Sequence, residues 1–350
     1  MFDDDGELAI ERAVLLAHPT AEVRRIALPD GGSSELVGFL ALRVEEPVPH
    51  WLVVSRGFTE LGEKAEEDPE LSGWGFELTC RLPLRSDDED VSWIARWMQS
   101  VEAYLSDKIT FLEPYHHMSI VEPAPGDQIS ALVVVEDPEL GDTESRNGRF
   151  TFFQMVGLTA DEYEALIEWD ARGLVELLRA REPLFFSDPK RSSLLRDPEF
   201  AHEVAEGRAR DGSSIGILYG MPLLWFLDHR DVELHLSTDA VPILHAAMRN
   251  RLAHGNPMVL YGVRRRSVRA DGSLAIQSQV NVALRAEEGI SAVETEDGAR
   301  TAIIRMSEAA IAQLANVLEA KPGTYTLPEL PRVRFIVVTP ERFREPSYPA

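Results

Sequence analysis

The sequence predicts an α+β protein with two domains, and three observations support this prediction. The chain has 350 residues, which is more than one ordinary domain, and 44% of them are hydrophobic, which is enough for packed cores. Short apolar runs and period-two alternation, both typical of strands, occur along the whole chain. Stretches with apolar residues spaced three and four apart, typical of amphipathic helices, lie between them. No internal repeat is evident.

The first half of the chain has more predicted strands than helices. Its strands are expected at residues 22–28, 35–44, 51–55, 74–82, 129–135 and 150–156. Its first two helices are expected at residues 7–17 and 94–105. The sequence Asp30-Gly31-Gly32 separates the first two strands and is a typical hairpin signal.

The strand at 74–82 alternates between an apolar face and a polar face. The apolar face carries Trp74, Phe76, Leu78, Cys80 and Leu82, and the other face carries Gly75, Glu77, Thr79 and Arg81. This alternation predicts a half-buried strand. Because Cys80 lies on the apolar face, we expect it to be a small core residue rather than a nucleophile.

The most strongly patterned part of the chain lies between residues 149 and 179. An apolar strand ends there at Gly157, which is predicted to form a turn. Thr159 and Glu162 follow at the spacing of a capping box and predict the start of a helix. Gly173 interrupts the apolar face of that helix, so we expect it to separate two short helices.

Regularity drops between residues 183 and 230, where four prolines interrupt the pattern. We therefore predict a first domain at 1–182, a connecting region at 183–230, a second domain at 231–340 and a tail at 341–350. The second domain is expected to have strands at 232–236, 258–263, 274–280, 301–306 and 333–338. Its helices are expected at 239–252 and 307–318.

The charge of the chain narrows the class of partner. The net charge is −24, and such a surface repels nucleic-acid phosphates and anionic lipids. The sequence therefore predicts neither nucleic-acid binding nor membrane binding. Solubility alone is one explanation of this charge, and attraction of a basic protein partner is the other.

Three features of the sequence favour a cytoplasmic protein. No apolar run approaches the roughly 18 residues needed to cross a bilayer. The first residues are acidic, whereas a secretory signal would be basic. With Cys80 as the one cysteine, the chain can form neither an internal disulfide framework nor a cysteine-rich zinc site.

The usual catalytic frameworks are missing from the sequence. It contains no phosphate-binding loop, no dinucleotide fingerprint, no His-Glu-x-x-His helix and no Gly-x-Ser-x-Gly elbow. Among nine histidines only His116 and His117 are adjacent, and neighbours on a strand point to opposite faces. We expect a surface or core role for this pair. The sequence predicts no catalytic residue, no cofactor and no metal, and a protein that is not an enzyme.

Several strings resemble sequence patterns of the Suppressor of fused family. His50-Trp51 precedes Gly75-Phe76-Glu77-Leu78-Thr79, as an upstream His-Trp precedes a Gly-Phe-Glu-Leu-Thr strand in that family. Val135-Glu136-Asp137-Pro138 is similar to its Thr-Glu-Asp-Pro segment, and residues 151–179 are the most specific match. Further counterparts are found at Asp211–Ser214, at Val232 and Leu234, and at Arg249–Gly255. The resemblance therefore covers nearly the whole chain.

This resemblance implies a non-catalytic binding protein with two lobes, each a mixed, mainly antiparallel sheet packed with helices. Animal members sequester Gli-type transcription factors by holding an extended peptide between the lobes, a form of strand addition. By position, Asp137 would lie near that cleft, and Val232 and Leu234 would lie on the strand that faces the peptide. The alternative is that Asp137 only caps a turn before Pro138 and that the two apolar residues belong to the core.

One departure from the family pattern bears on the partner. Arg230 stands where animal members have an acidic residue, so we do not expect the same peptide to bind. The chain also lacks the long interdomain insertion of animal members, and it resembles bacterial-type members with both domains. These have been associated with polymorphic-toxin systems, which implies an immunity protein that neutralises a toxin domain. The alternative is a scaffold or regulator that sequesters an endogenous protein through an extended peptide. The sequence leaves the partner's identity and the oligomeric state open.

Overall fold

The computed structural model describes residues 6–28, 35–62, 70–86, 90–108, 111–119, 126–228, 231–263, 266–268, 274–276, 279–296 and 299–344. Asp30-Gly31-Gly32 and Arg230 lie outside the described residues. The helices are α1 (Gly6–Ala17), α2 (Ala95–Lys108), α3 (Ala160–Glu168), α4 (Ala171–Arg181), α5 (Pro198–Asp211), α6 (Ala240–Asn250), α7 (Glu308–Val317) and α8 (Pro340–Arg344).

The strands outnumber the helices in both halves of the chain. Those of the first half are β1 (Glu22–Ala27), β2 (Gly38–Val44), β3 (His50–Arg56), β4 (Leu71–Pro83), β5 (His117–Ser119), β6 (Ile129–Glu136), β7 (Thr143–Ser145) and β8 (Gly148–Thr159). Those of the second half are β9 (Ile217–Met221), β10 (Leu223–Asp228), β11 (Asp231–Ser237), β12 (Met258–Val263), β13 (Arg266–Val268), β14 (Leu274–Ile276), β15 (Gln279–Arg285), β16 (Ala292–Glu296), β17 (Ala299–Arg305), β18 (Gly323–Thr326) and β19 (Val333–Val338).

The chain folds into two compact units. The first comprises Met1–Leu166 and Ala171–Val204, and the second comprises Ile167–Asp170 and Ala205–Ala350. The predicted α+β class with two lobes is confirmed. The domain limits expected at 182 and 231 stay predictions. Between them, the chain continues the first unit as far as Val204 and then supplies β9 and β10 to sheets of the second.

In the first unit, one large sheet is packed on both faces. Its strand order is β1-β2-β3-β4-β8-β6-β5, with β7 paired to β8, and only the β4–β8 pair is parallel among the pairs described. Helix α1 covers one face through Ala9, Ile10 and Val14. Helix α2 covers the other face with a stripe that includes Trp97 and Val101. Because both faces are covered, β2 and β3 are nearly continuous apolar runs.

The prediction of a half-buried strand at 74–82 is wrong, because the polar face of β4 is buried as well. Glu77, Thr79 and Arg81 are each 0% exposed. Side chains with charge are buried in this way only where partners satisfy them. Cys80 is buried on the apolar face, so its predicted core role is confirmed.

The stretch around residues 149–179 follows its prediction in part. Gly157 does not form a turn but lies inside β8, where a Cβ would meet Ile129 Cγ2 at 2.9 Å and Trp97 at 3.2 Å. Half of the capping box is present, since the Thr159 N–H donates to Glu162 Oε2 at 3.0 Å. The break between the two helices lies at Trp169 and Asp170 rather than at Gly173, which is inside α4.

The second unit is built on two larger sheets and one hairpin. The first sheet has the order β10-β11-β19-β18, and the second has the order β16-β17-β15-β12-β9; β13 and β14 pair only with each other among the described strands. Both larger sheets are mixed, because β11–β19, β15–β17 and β12–β9 are parallel. Apolar residues of both sheets and of α6 and α7 form one core cluster.

The ends of the helices in the second unit follow the expected signals in part, since Asp239 at the start of α6 makes no capping side-chain hydrogen bond. Ser307 begins α7, and its side chain accepts a hydrogen bond from the Ala310 N–H at 3.2 Å. The chain after α6 makes a short 3-10 turn that ends at Gly255, whose φ of 78° is left-handed. Among the described residues, no helix is long and apolar enough to span a membrane.

Candidate functional site

Asp137 directly follows β6 and has both carboxylate oxygens fully engaged. Oδ2 accepts from Thr79 Oγ1 at 2.6 Å and from Arg81 Nη1 at 2.7 Å. Oδ1 accepts from Arg81 Nη2 and from the N–H groups of Glu139 and Leu140, all at 2.9 Å. The Arg81 contact is therefore bidentate, and the two backbone contacts close the turn 137–140.

The electrostatics of this turn are those of a buried ion pair. Burial alone would raise the pKa of Asp137, but the Arg81 guanidinium and the donors around the carboxylate hold that pKa below its ordinary value. Arg81 also donates to Gln154 Oε1 at 2.5 Å and to Glu139 Oε2 at 2.9 Å. The arrangement fixes the carboxylate as an anion and stabilises the turn.

The polar face of β4 also supports a second loop, through Glu77. Glu77 Oε1 accepts from the N–H groups of Gly57 at 3.1 Å and Thr59 at 3.0 Å, and from the Thr59 hydroxyl at 2.7 Å. Oε2 accepts from the Ser55 hydroxyl. Burial outweighs these four donors and raises the pKa of Glu77 to about 7. This carboxyl therefore takes up a proton far more readily than Asp137 does.

Val232 and Leu234 lie on β11 and belong to the core of the second unit. Both are 0% exposed. In addition, β11 is an inner strand, since β10 pairs with one side of it and β19 with the other. An added strand needs an unpaired edge, which β11 does not offer.

The three predicted partner-binding residues thus occupy buried positions. Asp137 is held inside the first unit by Arg81, and Val232 and Leu234 are packed inside the second unit. A role of their side chains in partner binding stays a prediction. The contacts fit the alternative stated in the sequence analysis: Asp137 caps a turn, and Val232 and Leu234 are core residues.

The strings at 211–214 and 249–255 are brought together in the second unit. Arg251 donates from Nη1 to the Ser213 carbonyl at 2.7 Å and from Nε to the Pro257 carbonyl at 2.6 Å. Gly212 has a φ of 66°, and a Cβ there would lie 2.6 Å from the His254 ring. Ser213 in turn donates to the Ile167 carbonyl at 2.7 Å. These contacts hold the two strings together.

A cleft lies beside the contacts between residues 211–214 and Arg251. A polar pocket of about 450 Å³ is lined by Asp170, Asp211, Ser214, Arg251 and Asn256. A smaller apolar groove of about 100 Å³ shares Ser213 and Arg251 with it and is lined mainly by Ile167, Ile215, Leu218, Ile243 and Met258. Cavities lined in this way accept side chains or small ligands.

The open edges of the sheets are the remaining candidates for partner contact. In the described part of the chain, the three larger sheets end at β1 and β5, at β10 and β18, and at β9 and β16. Of these, β9 begins with Ile217, which is 45% exposed, and continues with Leu218 in the wall of the apolar groove. An edge strand beside an apolar groove is a suitable site for an extended peptide.

His116 and His117 do not converge on a common site. The His116 Nδ1 accepts from the Glu113 N–H at 3.2 Å, whereas the His117 Nδ1 lies 3.3 Å from the Tyr163 hydroxyl. Burial, together with His116, lowers the pKa of His117. Across the residues that the structure describes, no group of three or more His, Cys, Asp or Glu side chains could hold a metal ion.

Two features of the site escaped sequence reasoning. The buried row Glu77, Thr79 and Arg81 looks like a solvent-facing pattern, because alternation does not distinguish paired charges from solvated ones. The edge position of β9 depends on its parallel pairing with β12, about 40 residues further along the chain. No local signal announced the first feature, because Arg81 lies 56 residues from Asp137 in the chain and β8 separates β4 from β6 in the sheet.

Comparison with known proteins is consistent with this architecture. Residues 33–192 match the family model of the Suppressor of fused protein. The human Suppressor of fused homolog is 29% identical over 182 residues, which cover 47% of this chain and 37% of that protein. The mouse protein gives the same identity and coverage. The match therefore spans well under half the length of these relatives.

Solved structures share the fold over longer stretches. Drosophila Suppressor of Fused superposes with a TM-score of 0.73 at 16% identity, covering 96% of this chain and 98% of that one. A chain from the crystal structure of the Sufu–Fu complex gives a TM-score of 0.51 at 21% identity and covers 58% of this chain and 98% of its own. At these identities the likeness shows a common fold. The resemblance seen in the sequence motifs is confirmed.

Proposed function

We propose, from the match of residues 33–192 to the Suppressor of fused family model, that the chain is a non-catalytic module that binds another protein. A similar chain occurs in the Sufu–Fu complex, which supports a role in protein interaction. The observation that carries the proposal is β9, an edge strand with an exposed isoleucine beside an apolar groove. An extended segment of the partner would pair with its free edge.

The partner in this proposal is a basic toxin domain of a polymorphic-toxin system, which the chain would neutralise as an immunity protein. The net charge of −24 supports a basic partner, because complementary charge raises the rate of association. Binding should then weaken with salt, since exposed charges are screened over about 10 Å at 0.1 M ionic strength.

A substitution at the edge strand tests the binding site. We expect Ile217→Asp to weaken partner binding about tenfold or more, because an aspartate on the exposed face of β9 would place a charge in an apolar contact. The measurement is the dissociation constant for the protein that co-purifies from native lysate, identified by mass spectrometry. Ile290→Asp is the matched control, since Ile290 is also exposed but lies in the loop between β15 and β16, away from the edge of β9.

The results separate the proposed partner from the alternative one. A captured basic toxin domain encoded beside this gene, whose toxicity is relieved by co-expression, supports the immunity role. A captured regulator encoded elsewhere supports the alternative, a scaffold that sequesters an endogenous protein. Equal binding by the Ile217 and Ile290 variants would remove β9 from the interface.

A further inference from the structure

Two buried imidazoles, His18 and His50, meet where several elements of the first unit end. His18 lies between α1 and β1, and His50 is the first residue of β3. Their ring centroids are 6.5 Å apart with nearly perpendicular planes, and Phe186 packs on His50 at 5.2 Å. Both histidines are more than nine-tenths buried. Neither is used by the binding site proposed above.

The charged groups in contact with this pair come from β4 and from the turn 137–140. His18 also lines a cavity of about 510 Å³ together with Glu22, Arg43, Glu45 and Glu46. His18 Nε2 lies 3.6 Å from Glu139 Oε2, the oxygen that also accepts from Arg81 Nη2 at 2.9 Å. Arg81 also holds both oxygens of Asp137. With neutral imidazoles, this cluster has one cation against two carboxylates. A proton on His18 would balance these charges and would compete with Arg81 for Glu139.

The surroundings of His50 stabilise a second proton less well than those of His18. Its Nδ1 lies 2.7 Å from the Val48 carbonyl, which can only accept, so Nδ1 carries the proton of the neutral ring. Its Nε2 is buried and has no hydrogen-bond partner in the described part of the chain. A proton there would create a buried N–H without an acceptor in a site that faces Arg81 and His18. Such a charge is accommodated only if the cluster opens.

We propose that His18 and His50 form an acid-sensitive latch on the turn that carries Asp137. At neutral pH the two uncharged rings pack together, and the turn 137–140 is closed around the carboxylate. When the pH falls, His18 takes up a proton and draws Glu139 away from Arg81, and protonation of His50 then opens the cluster. The Asp137 carboxylate, otherwise fully engaged, becomes accessible in the opened state.

The direction of the pH effect follows from burial. Burial lowers the pKa of His18, against the opposing effects of Glu139 and Asp137 and with the help of Arg81. Burial also lowers the pKa of His50. The opened state therefore binds more protons below the ordinary value of 6.5, so the closed state is favoured above that pH and loses stability as the pH falls below it. A proton on His18 also lowers the pKa of His50.

Amide hydrogen exchange of the full chain at pH 7 and pH 5.5, corrected for the intrinsic effect of pH, tests the latch. The reporters are the N–H groups of Glu139 and Leu140, which close the turn on Asp137. We expect their protection factors to fall about tenfold at pH 5.5, because both imidazoles take up protons more readily in the opened state than in the closed one. Unchanged protection at the two pH values would overturn the proposal.

Matched variants separate the latch from a general acid effect. His18→Gln with His50→Asn keeps the polar contacts but removes both titrations, so we expect the protection of the turn to become independent of pH. His235→Gln is the control, because His235 is buried beside Glu233 in the second unit, and its pKa is also lowered by burial. A pH effect on the turn that persists in the double variant contradicts the latch.

If the double variant does not fold, NMR titration of the imidazoles in the unmodified chain decides instead. Two separate titration steps below pH 6.5, accompanied by loss of protection in the turn, support the proposal. Titration of both rings near 6.5 without any change in the turn overturns it.

Discussion

In the first unit, β4 buries Glu77, Thr79 and Arg81, whereas in the second unit β11 buries Val232, Leu234 and Leu236. Both strands are inner strands of their sheets. The polar face of β4 is held by ionic and polar contacts that need specific partners, and the apolar face of β11 is held by packing that needs only the right volume. The contribution of the first face to stability should therefore depend on partners and on pH, whereas that of the second should depend on shape.

Removing the cation from β4 should have the largest effect. We expect Arg81→Met to lower the free energy of unfolding of the first unit by about 3–5 kcal/mol, because the Asp137 carboxylate would be left buried without its partner. Chemical denaturation followed by hydrogen exchange of β4 peptides measures this loss. Arg85→Met is the control, since Arg85 pairs with Asp188 at the surface and such a pair contributes about 0–1 kcal/mol. Equal losses in the two variants would mean that the buried pair contributes no more than a surface pair.

Truncating an apolar side chain of β11 should have a similar or smaller effect that is independent of pH. We expect Leu234→Ala to cost about 2–5 kcal/mol, because the cavity left in the core cannot fully collapse. Hydrogen exchange of β11 at two pH values measures it, and Leu227→Ala, which truncates a partly exposed leucine of β10, is the control. If the stability lost in Leu234→Ala changed with pH, this would contradict the explanation by apolar packing alone.

The titration of Glu77 should distinguish the two strands further. The native pKa of about 7 exceeds the ordinary 4.5, so the folded state binds the extra proton between these values. Its contribution to stability is full below about pH 4.5 and is lost as the pH rises through 7, by roughly 3 kcal/mol at most.

In Glu77→Gln, the amide oxygen can accept the three bonds made to Oε1, and the amide N–H can donate to the Ser55 hydroxyl. The variant should therefore fold and should lack this pH-dependent loss. The measurement is the free energy of unfolding at pH 5 and pH 7.5 for both proteins. Identical slopes in the two proteins would show that Glu77 does not titrate in this range.

The smallest expected effect concerns a helix cap in the second unit. We expect Ser307→Ala to cost about 1 kcal/mol, because the Ala310 N–H loses its acceptor at the start of α7. Ser100→Ala is the control, since the Ser100 hydroxyl bonds to a carbonyl inside exposed α2 and alanine is the better helix former there. Thermal unfolding of both variants measures the difference, and equal midpoints would count against the cap.

Local patterns predicted many elements but not their environment. The helix expected at 7–17 is α1 at Gly6–Ala17, and Ser307 caps α7 as expected, because periodicity and capping are properties of neighbouring residues. Gly157 and Gly173 were misassigned for the opposite reason. Gly157 is needed for the close approach of Ile129 and Trp97 from other elements, which the local sequence does not encode.

The sequence predicted which residues of the candidate site are of interest, but not which residues they contact. Motifs identified Asp137 and β11 as positions of interest, but the partner of Asp137 is an arginine 56 residues away, and no spacing rule joins them. Likewise, the inner position of β11 depends on its parallel pairing with β19, about 100 residues further along. Pairing over such distances is set by the topology of the sheet, so the choice between a core residue and a contact residue had to wait for the structure.

The lone thiol at Cys80 can serve as a chemical reporter of opening in the first unit. Burial raises its pKa to about 12, and the side chain is fully enclosed between the partners of β4. A thiol reagent added to the native protein can therefore react only during moments when this strand is exposed, because thiolate and access are both required. Since the chain has no second cysteine, the labelling rate reports how often Cys80 becomes exposed, through opening of β4 or of the whole unit, without any added probe.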